Sequence, residues 1–148
     1  MRILLAIDGS AASQSAIDEV AQRPWPAPSL LRIISVVSSH VPVAGDVLTG
    51  AAISVELSGD HDADPRLLAT RAAERLRRPG MPVEVVTRQG NPASTIVEEA
   101  AEWNADLIVL GSYGRTGLKV LLLGSVARAV VTHAPCSVEV VRNRQHAA

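Results

Sequence analysis

The sequence predicts an α/β protein: an open parallel sheet of five strands with helices on both faces. Three observations carry that prediction. Short apolar runs alternate with stretches of helical period, the order expected of units that build a parallel sheet. The runs are apolar almost throughout, as strands covered on two sides must be. Turn residues separate the two kinds of segment, giving five strands and four helices in strict alternation, with no internal repeat and no low-complexity tract. Crossovers between such strands are expected to be right-handed.

The first strand spans 2–7, too short for a helix and rich in Ile and Leu. Asp8-Gly9-Ser10 ends it, and Ser10 can cap a helix with apolar positions at Ala12, Ala16 and Val20. Three prolines among residues 24–28 stop that helix. A second strand covers 30–37. Asp64-Pro65 offers a favoured N-cap followed by Pro at the first helical position. Leu68, Ala72, Ala73 and Leu76 mark the inner face of the helix that follows, and Pro79-Gly80 ends it. A third strand is expected over 82–88. Gly90-Asn91-Pro92 opens a helix with Ile96, Val97, Ala100 and Ala101 inward and Glu98-Glu99 outward. A fourth strand covers 106–110, a last helix runs from Gly124-Ser125 to about Thr132, and a fifth strand covers 136–141. Residues 38–63 break the rhythm: four Gly or Pro, four Asp or Glu, and neither Lys nor Arg. So long a connection suits a surface excursion or a flap beside a ligand or a subunit contact.

Composition narrows the function. At 148 residues, 47 % hydrophobic and 20 % charged, the chain fits one domain, 1–148, with one aliphatic core. Fourteen basic against fifteen acidic residues leave a net charge of −1, which excludes a nucleic-acid binder working by bulk electrostatics. Aromatic residues are 2 %, with no Phe, too few for stacking on single strands. One cysteine, Cys136, excludes an intramolecular disulfide and any cysteine-cluster metal site, and suits a buried strand better than a nucleophile. His40, His61, His133 and His146 lack metal-ligand spacing; His133 suits the C-terminal end of its helix. Arg71, Arg75, Arg77 and Arg78 read as a solvated helix face, and Trp25 and Trp103 as packing residues at helix ends. The first apolar run is too short for a signal peptide, and no stretch approaches a membrane span. A cytoplasmic protein that binds neither membrane nor nucleic acid is expected.

The chemistry gathers in Gly111-Ser112-Tyr113-Gly114-Arg115-Thr116-Gly117 and, after an apolar stretch, Gly124-Ser125. Gly111 and Gly114 permit positive φ and close backbone approach to a ligand. Gly124-Ser125 stands at a helix N-terminus, where free N–H groups and the dipole favour an anion. Ser125 can add a hydroxyl, or simply cap the helix. Arg115 and Lys119 add positive charge. The segment is a phosphate cradle in prospect, or a tight turn with a cap. It is not a P-loop, which needs Gly-Lys-Ser/Thr, and it lacks the Gly-x-Gly pair of the dinucleotide fingerprint. Asp8, ending the first strand, can accept from a ribose hydroxyl or an adenine amine, or cap the turn that follows it.

These residues resemble the nucleotide-binding branch of the universal stress protein family. That branch carries Gly, two residues, Gly, nine residues, Gly, then Ser or Thr, matched here by Gly111, Gly114, Gly124 and Ser125. The opening Ile3-Leu4-Leu5-Ala6-Ile7-Asp8-Gly9-Ser10, the Gly90-Asn91-Pro92 turn and His133-Ala134-Pro135-Cys136 are similar to the family's pattern, over roughly residues 2–141. Departures are Ala6 and Ala127, where some nucleotide-binding members have Pro and Thr, and Ser137 in place of a frequent Pro. The resemblance implies strand order 3-2-1-4-5, the adenine nucleotide alpha hydrolase-like architecture, and an ATP site, with AMP or ADP as alternatives and Mg²⁺ as companion. Adenine would lie among Ala6, Val36 and Leu110, with Asp8 on base or ribose. Gly111, Gly114, Arg115, Gly124, Ser125 and Val126 would wrap ribose and phosphates. It also implies a homodimer through the last strand, 136–141, an apolar edge whose one charge is Glu139 and which invites pairing.

Magnitudes bear on the division of labour. Micromolar affinity needs about 8 kcal/mol, while a helix N-terminus contributes ~1–2 kcal/mol to an anion. A buried purine, at about 25 cal/mol per Å² of apolar surface, has to supply much of the rest. No general base stands near the phosphates, so any hydrolysis should be slow, and a regulatory nucleotide sensor is the expected function. An ATP-using enzyme of the related hydrolase superfamily would carry Ser-Gly-Gly-x-Asp-Ser where this chain has Asp8-Gly9-Ser10-Ala11-Ala12-Ser13. A ligand-free interaction module would have no need of the glycine spacing. A phosphorelay receiver needs an acidic pair and a phosphoacceptor Asp where Asp8-Gly9 and Arg88-Gln89-Gly90 stand.

Overall fold

A computed structural model describes residues 1–38, 64–113 and 123–143. The long connection expected over 38–63 therefore lies, Ser38 apart, outside the described residues. The element order is β1 (Arg2–Ile7), α1 (Ala11–Gln22), β2 (Leu30–Val37), α2 (Pro65–Leu76), β3 (Val83–Gln89), α3 (Pro92–Glu102), β4 (Leu107–Gly111), α4 (Ser125–His133) and β5 (Ser137–Val141). The five strands form one sheet in the order β3-β2-β1-β4-β5, every pair parallel.

Strand alternation sends successive side chains to opposite faces, and β1 shows the consequence. Ile3, Leu5 and Ile7 enter a core with Ala16, Val20, Leu31, Ile33, Ala69, Leu76 and Val109, under α1 and α2. Leu4 and Ala6 enter a second core with Ile34, Ile96, Ala100, Ile108, Leu110 and Val130, under α3 and α4. Small residues on the helices, Ala12 and Ala16 on α1 and Ala69, Ala72 and Ala73 on α2, are buried and let the helix axes lie close to the sheet.

The helix boundaries follow local chemistry. Ser10 caps α1, its side chain accepting from Ser13 N. Asp64 caps α2 ahead of Pro65, and Asn91 caps α3 ahead of Pro92. Trp25 closes the end of α1, donating Nε1–H to Val20 O and packing against the first core. Trp103 packs against the second.

Two expectations are corrected. On α3, Glu99 is buried and Ala101 is exposed, the reverse of the predicted pattern. The reason lies on the neighbouring strands. Arg32 on β2 donates Nη1–H to Glu99 at 2.8 Å, and Arg88 on β3 donates Nε–H at 2.9 Å. Arg32 also binds Glu84 and lies 4.4 Å from the Trp103 ring centroid. A buried carboxylate survives only when paired in this way, and here the pairing pins α3 to two strands. Nor is the Arg71–Arg78 group wholly solvated. Arg75 pairs with Asp18 on α1 at 2.5 Å, and Arg78 donates to the carbonyls of Ala21 and Arg23.

Glu99→Ala should destabilise the fold by about 3 kcal/mol, because it strips two arginines of a shared buried partner. Urea unfolding should show a lower midpoint at an unchanged m-value.

Candidate functional site

The strand order places a crevice at the middle of the sheet. From β1 the chain works outward through β2 and β3, then returns to β4 on the other flank of β1 and continues to β5. The C-terminal ends of β1 and β4 are thus the point where the order reverses, where open α/β sheets bind ligands. The two loops leaving these strands touch, Ser10 Oγ donating to Tyr113 O at 3.3 Å.

Asp8 stands on the β1 side of this crevice, half-buried. Its Oδ1 accepts from Ser10 N at 2.9 Å, and its own N–H donates to Ser13 Oγ at 3.2 Å. The capping role expected as one alternative is therefore present, and it holds the carboxylate at the strand end. Gly9 takes φ +80° between them, a conformation that other residues rarely adopt.

Behind Asp8 lies an apolar floor. Ala6 is paired in register with Leu110 of β4 on one side and Ile34 of β2 on the other. Val36, two residues beyond Ile34, packs against the same core as Ala6 and Leu110. Ala6, Val36 and Leu110 thus share the sheet face covered by α3 and α4.

On the β4 side the structure reassigns Gly111. It is absent from the positive-φ residues of the chain. A Cβ there would lie 2.6 Å from Ala12 C and 2.8 Å from Ser13 N. Gly111 is therefore required by the first turn of α1, which packs on the end of β4. The sequence assigned its smallness to a ligand, whereas a helix backbone occupies that space.

Ser112 follows, and sequence reasoning missed it. It is 1 % exposed. Its N–H donates to Val141 O at 2.8 Å and its carbonyl accepts from Gly124 N at 2.7 Å, so it ties the ends of β4 and β5 to the start of α4. Its hydroxyl is buried without a hydrogen-bond partner. Such a group costs about 1–3 kcal/mol, and its place in the Gly111–Gly124 segment was the only signal in the sequence.

Gly124 is the N-cap of α4 and makes no side-chain cap; Ser125 is the first helical residue, not the cap. The first intrahelical bond runs from Arg128 N to Gly124 O. The amides of Ser125, Val126 and Ala127 precede it, and a helix has no internal partner for such groups. Ser125 is exposed, while Val126 is half-buried against the second core. The N-terminus of α4 thus presents amides where the dipole is positive. Gly114 and Arg115 lie outside the described residues. Among the described residues no group of three or more His, Cys, Asp or Glu could hold a metal ion.

Two further residues have settled roles. His133 Nδ1 lies 2.9 Å from Ala129 O in the last turn of α4. Cys136, just ahead of β5, is half-buried, and burial together with the Asp106 charge raises its pKa, partly offset by a backbone hydrogen bond from Ile108. A raised pKa suppresses the thiolate that a nucleophile needs.

Fold and crevice define the class: a doubly wound α/β protein of the adenine nucleotide alpha hydrolase-like type, with a helix N-terminus at its switch point. The description that matches residues 1–142 is the universal stress protein family, and the chain belongs to that family. It is 30 % identical over 145 residues to the universal stress protein YxiE of Bacillus subtilis, covering 95 % of this chain and 98 % of that one. A solved universal stress protein in complex with cAMP superposes with a TM-score of 0.67 at 24 % identity, covering 97 % of each chain. A family member from Arabidopsis thaliana with AMP bound gives 0.64 at 15 % identity, covering 97 % of this chain and 92 % of that one. No helix among the described residues is long and apolar enough to cross a membrane.

Gly111→Ala should cost about 3 kcal/mol or prevent folding, because the added carbon meets helix backbone that cannot rotate away; thermal unfolding reads this directly. Cys136 should react with a disulfide reagent more slowly than a free thiol at pH 8. Its rate should climb only as the pH passes the ordinary cysteine value of about 8.5.

Proposed function

We propose that this chain binds an adenine nucleotide, ATP in the first place, in the crevice between β1 and β4, and acts as a cytoplasmic regulatory nucleotide sensor. The observation that carries the reading is Ser112: its hydroxyl is buried without a partner, while its main-chain carbonyl accepts from Gly124 N at the N-terminus of α4, which has no side-chain cap. An orphaned donor beside free helix amides is costly without an anion and useful with one. Asp8 faces ribose or base, and Ala6, Val36 and Leu110 form the floor under the purine. Gly124, Ser125 and Val126 offer main-chain amides to the phosphates, and Gly114 and Arg115 complete the cradle. Gly111 serves this site indirectly, by seating α1 so that Asp8 and Ser10 border the crevice. Mg²⁺ belongs to the reading as counter-ion of the triphosphate.

The neighbours that carry cAMP and AMP share the adenosine half of the ligand, which supports the purine end of the reading. Without a general base among the groups proposed to contact the phosphates, hydrolysis is slow. The same reading includes a homodimer through β5, whose outer edge has no ladder partner among the described residues and whose Val138 and Val140 are half-buried.

Protein purified and then denatured should release an adenine nucleotide, and native mass spectrometry should report ligand and subunit number together. Gly114→Val should abolish the release. Nucleotide-free protein that gives no calorimetric response to ATP, ADP, AMP or cAMP would overturn the proposal.

A further inference from the structure

β5 is an edge strand, and Glu139 is its only charged residue. Pairing opposite Val109 of β4 sets its side chain on the α1 face. There Arg23, at the end of α1, takes both carboxylate oxygens: Nη1 at 2.5 Å from Oε2 and Nη2 at 2.7 Å from Oε1. Arg23 is itself held. Its Nη2 also reaches Glu19 at 2.7 Å, its guanidinium lies 5.0 Å from the Trp25 ring centroid, and its carbonyl accepts from Arg78 at 3.0 Å. The side chains of Arg23 and Glu139 remain 34 % and 27 % exposed, so the pair adds little to the stability of a single chain. Its place at the middle of an edge strand says more.

Resting on the β5 dimer proposed above, we propose that Arg23 is a positioning residue of the self-association surface, holding Glu139 as an ion pair so that its carboxylate is countered where the centre of the edge meets a second copy of this chain. An isologous antiparallel pairing keeps all five residues of Ser137–Val141 in the ladder only when the two-fold axis passes through the middle residue. That residue is Glu139. The two carboxylates then stand directly opposite on one face, with Cβ atoms about 4.5–5.5 Å apart. Bare carboxylates at that separation repel. Two that are each gripped by an arginine fork present alternating charge, and the fork is the geometry that lysine cannot supply. The flanking Val138 and Val140 are apolar, so no other charge on β5 can offset the repulsion.

Sedimentation equilibrium of the full chain at about 0.02 M and 1 M salt tests this. Wild-type protein should be dimeric with little salt dependence. Arg23→Gln should raise the dimer dissociation constant about fivefold at low salt. That increase should largely vanish at 1 M, where the Debye length is about 3 Å. Adding Glu139→Gln should restore association at low salt, which repair of a merely structural contact would not do. Arg23→Lys should fall between, and it stands in should Arg23→Gln fail to fold by circular dichroism. A wild-type chain that stays monomeric overturns the β5 dimer itself. A dimer that Arg23→Gln leaves unchanged at low salt, or that Glu139→Gln fails to restore, overturns the role of Arg23 and leaves the dimer standing.

Discussion

A parallel sheet has to be covered on both faces, because its strands are apolar on both. In this chain that requirement converges on β1. Its residues are divided between the two cores, Ile3, Leu5 and Ile7 on one side and Leu4 and Ala6 on the other. It also pairs in register with two neighbours, β2 and β4. A shift of β1 by one residue would exchange the two sets of side chains and place large residues where Ala6 lies flat between Ile34 and Leu110. The crevice exists because β1 keeps that register: Asp8 leaves the strand at the point where Leu110 and Gly111 end β4.

The crevice also shows how a tight packing contact can stand in for a ligand contact in sequence. Gly111 lies in a segment whose spacing suggests a phosphate cradle, and its own reason for being glycine is the backbone of α1. The residue after it, Ser112, is the one among the described residues whose buried side chain is left with an unmet hydrogen-bonding need. Glycine and serine thus divide the work. One sets the distance between β4 and α1, and the other leaves a polar atom beside the start of α4. The apolar floor of Ala6, Val36 and Leu110 matters for a different reason. A helix terminus supplies only ~1–2 kcal/mol to an anion, so a nucleotide needs buried purine surface as well.

The charged residues follow a common pattern. Glu99, Glu139 and Asp18 each meet an arginine from a different element. Each pair links parts of the chain far apart in sequence: α3 to β2 and β3, the end of α1 to β5, and α1 to α2. Such contacts add modestly to stability when exposed and more when buried. Their larger effect is to fix how helices lie on the sheet.

Alternation of apolar runs with helical periods, punctuated by Asp8-Gly9-Ser10, Asp64-Pro65 and Gly90-Asn91-Pro92, was enough to place all nine elements within a residue or two, since each signal acts through local backbone and side-chain geometry. The strand order came with the family resemblance and stands as expected. What the sequence alone could not hold was the set of partners made across the fold. Glu99 reads as outward on a helical wheel, because its arginines lie on β2 and β3, 67 and 11 residues away. Glu139 reads as a bare charge on an edge until α1 brings Arg23 beside it, 116 residues distant in the chain. Gly111 and Ser112 differ in burial and in need only once α1 and α4 close on the end of β4. Local pattern decides which elements form; which charges are neutralised, and which hydroxyl is left unpaired, depends on contacts that exist only after the sheet has assembled.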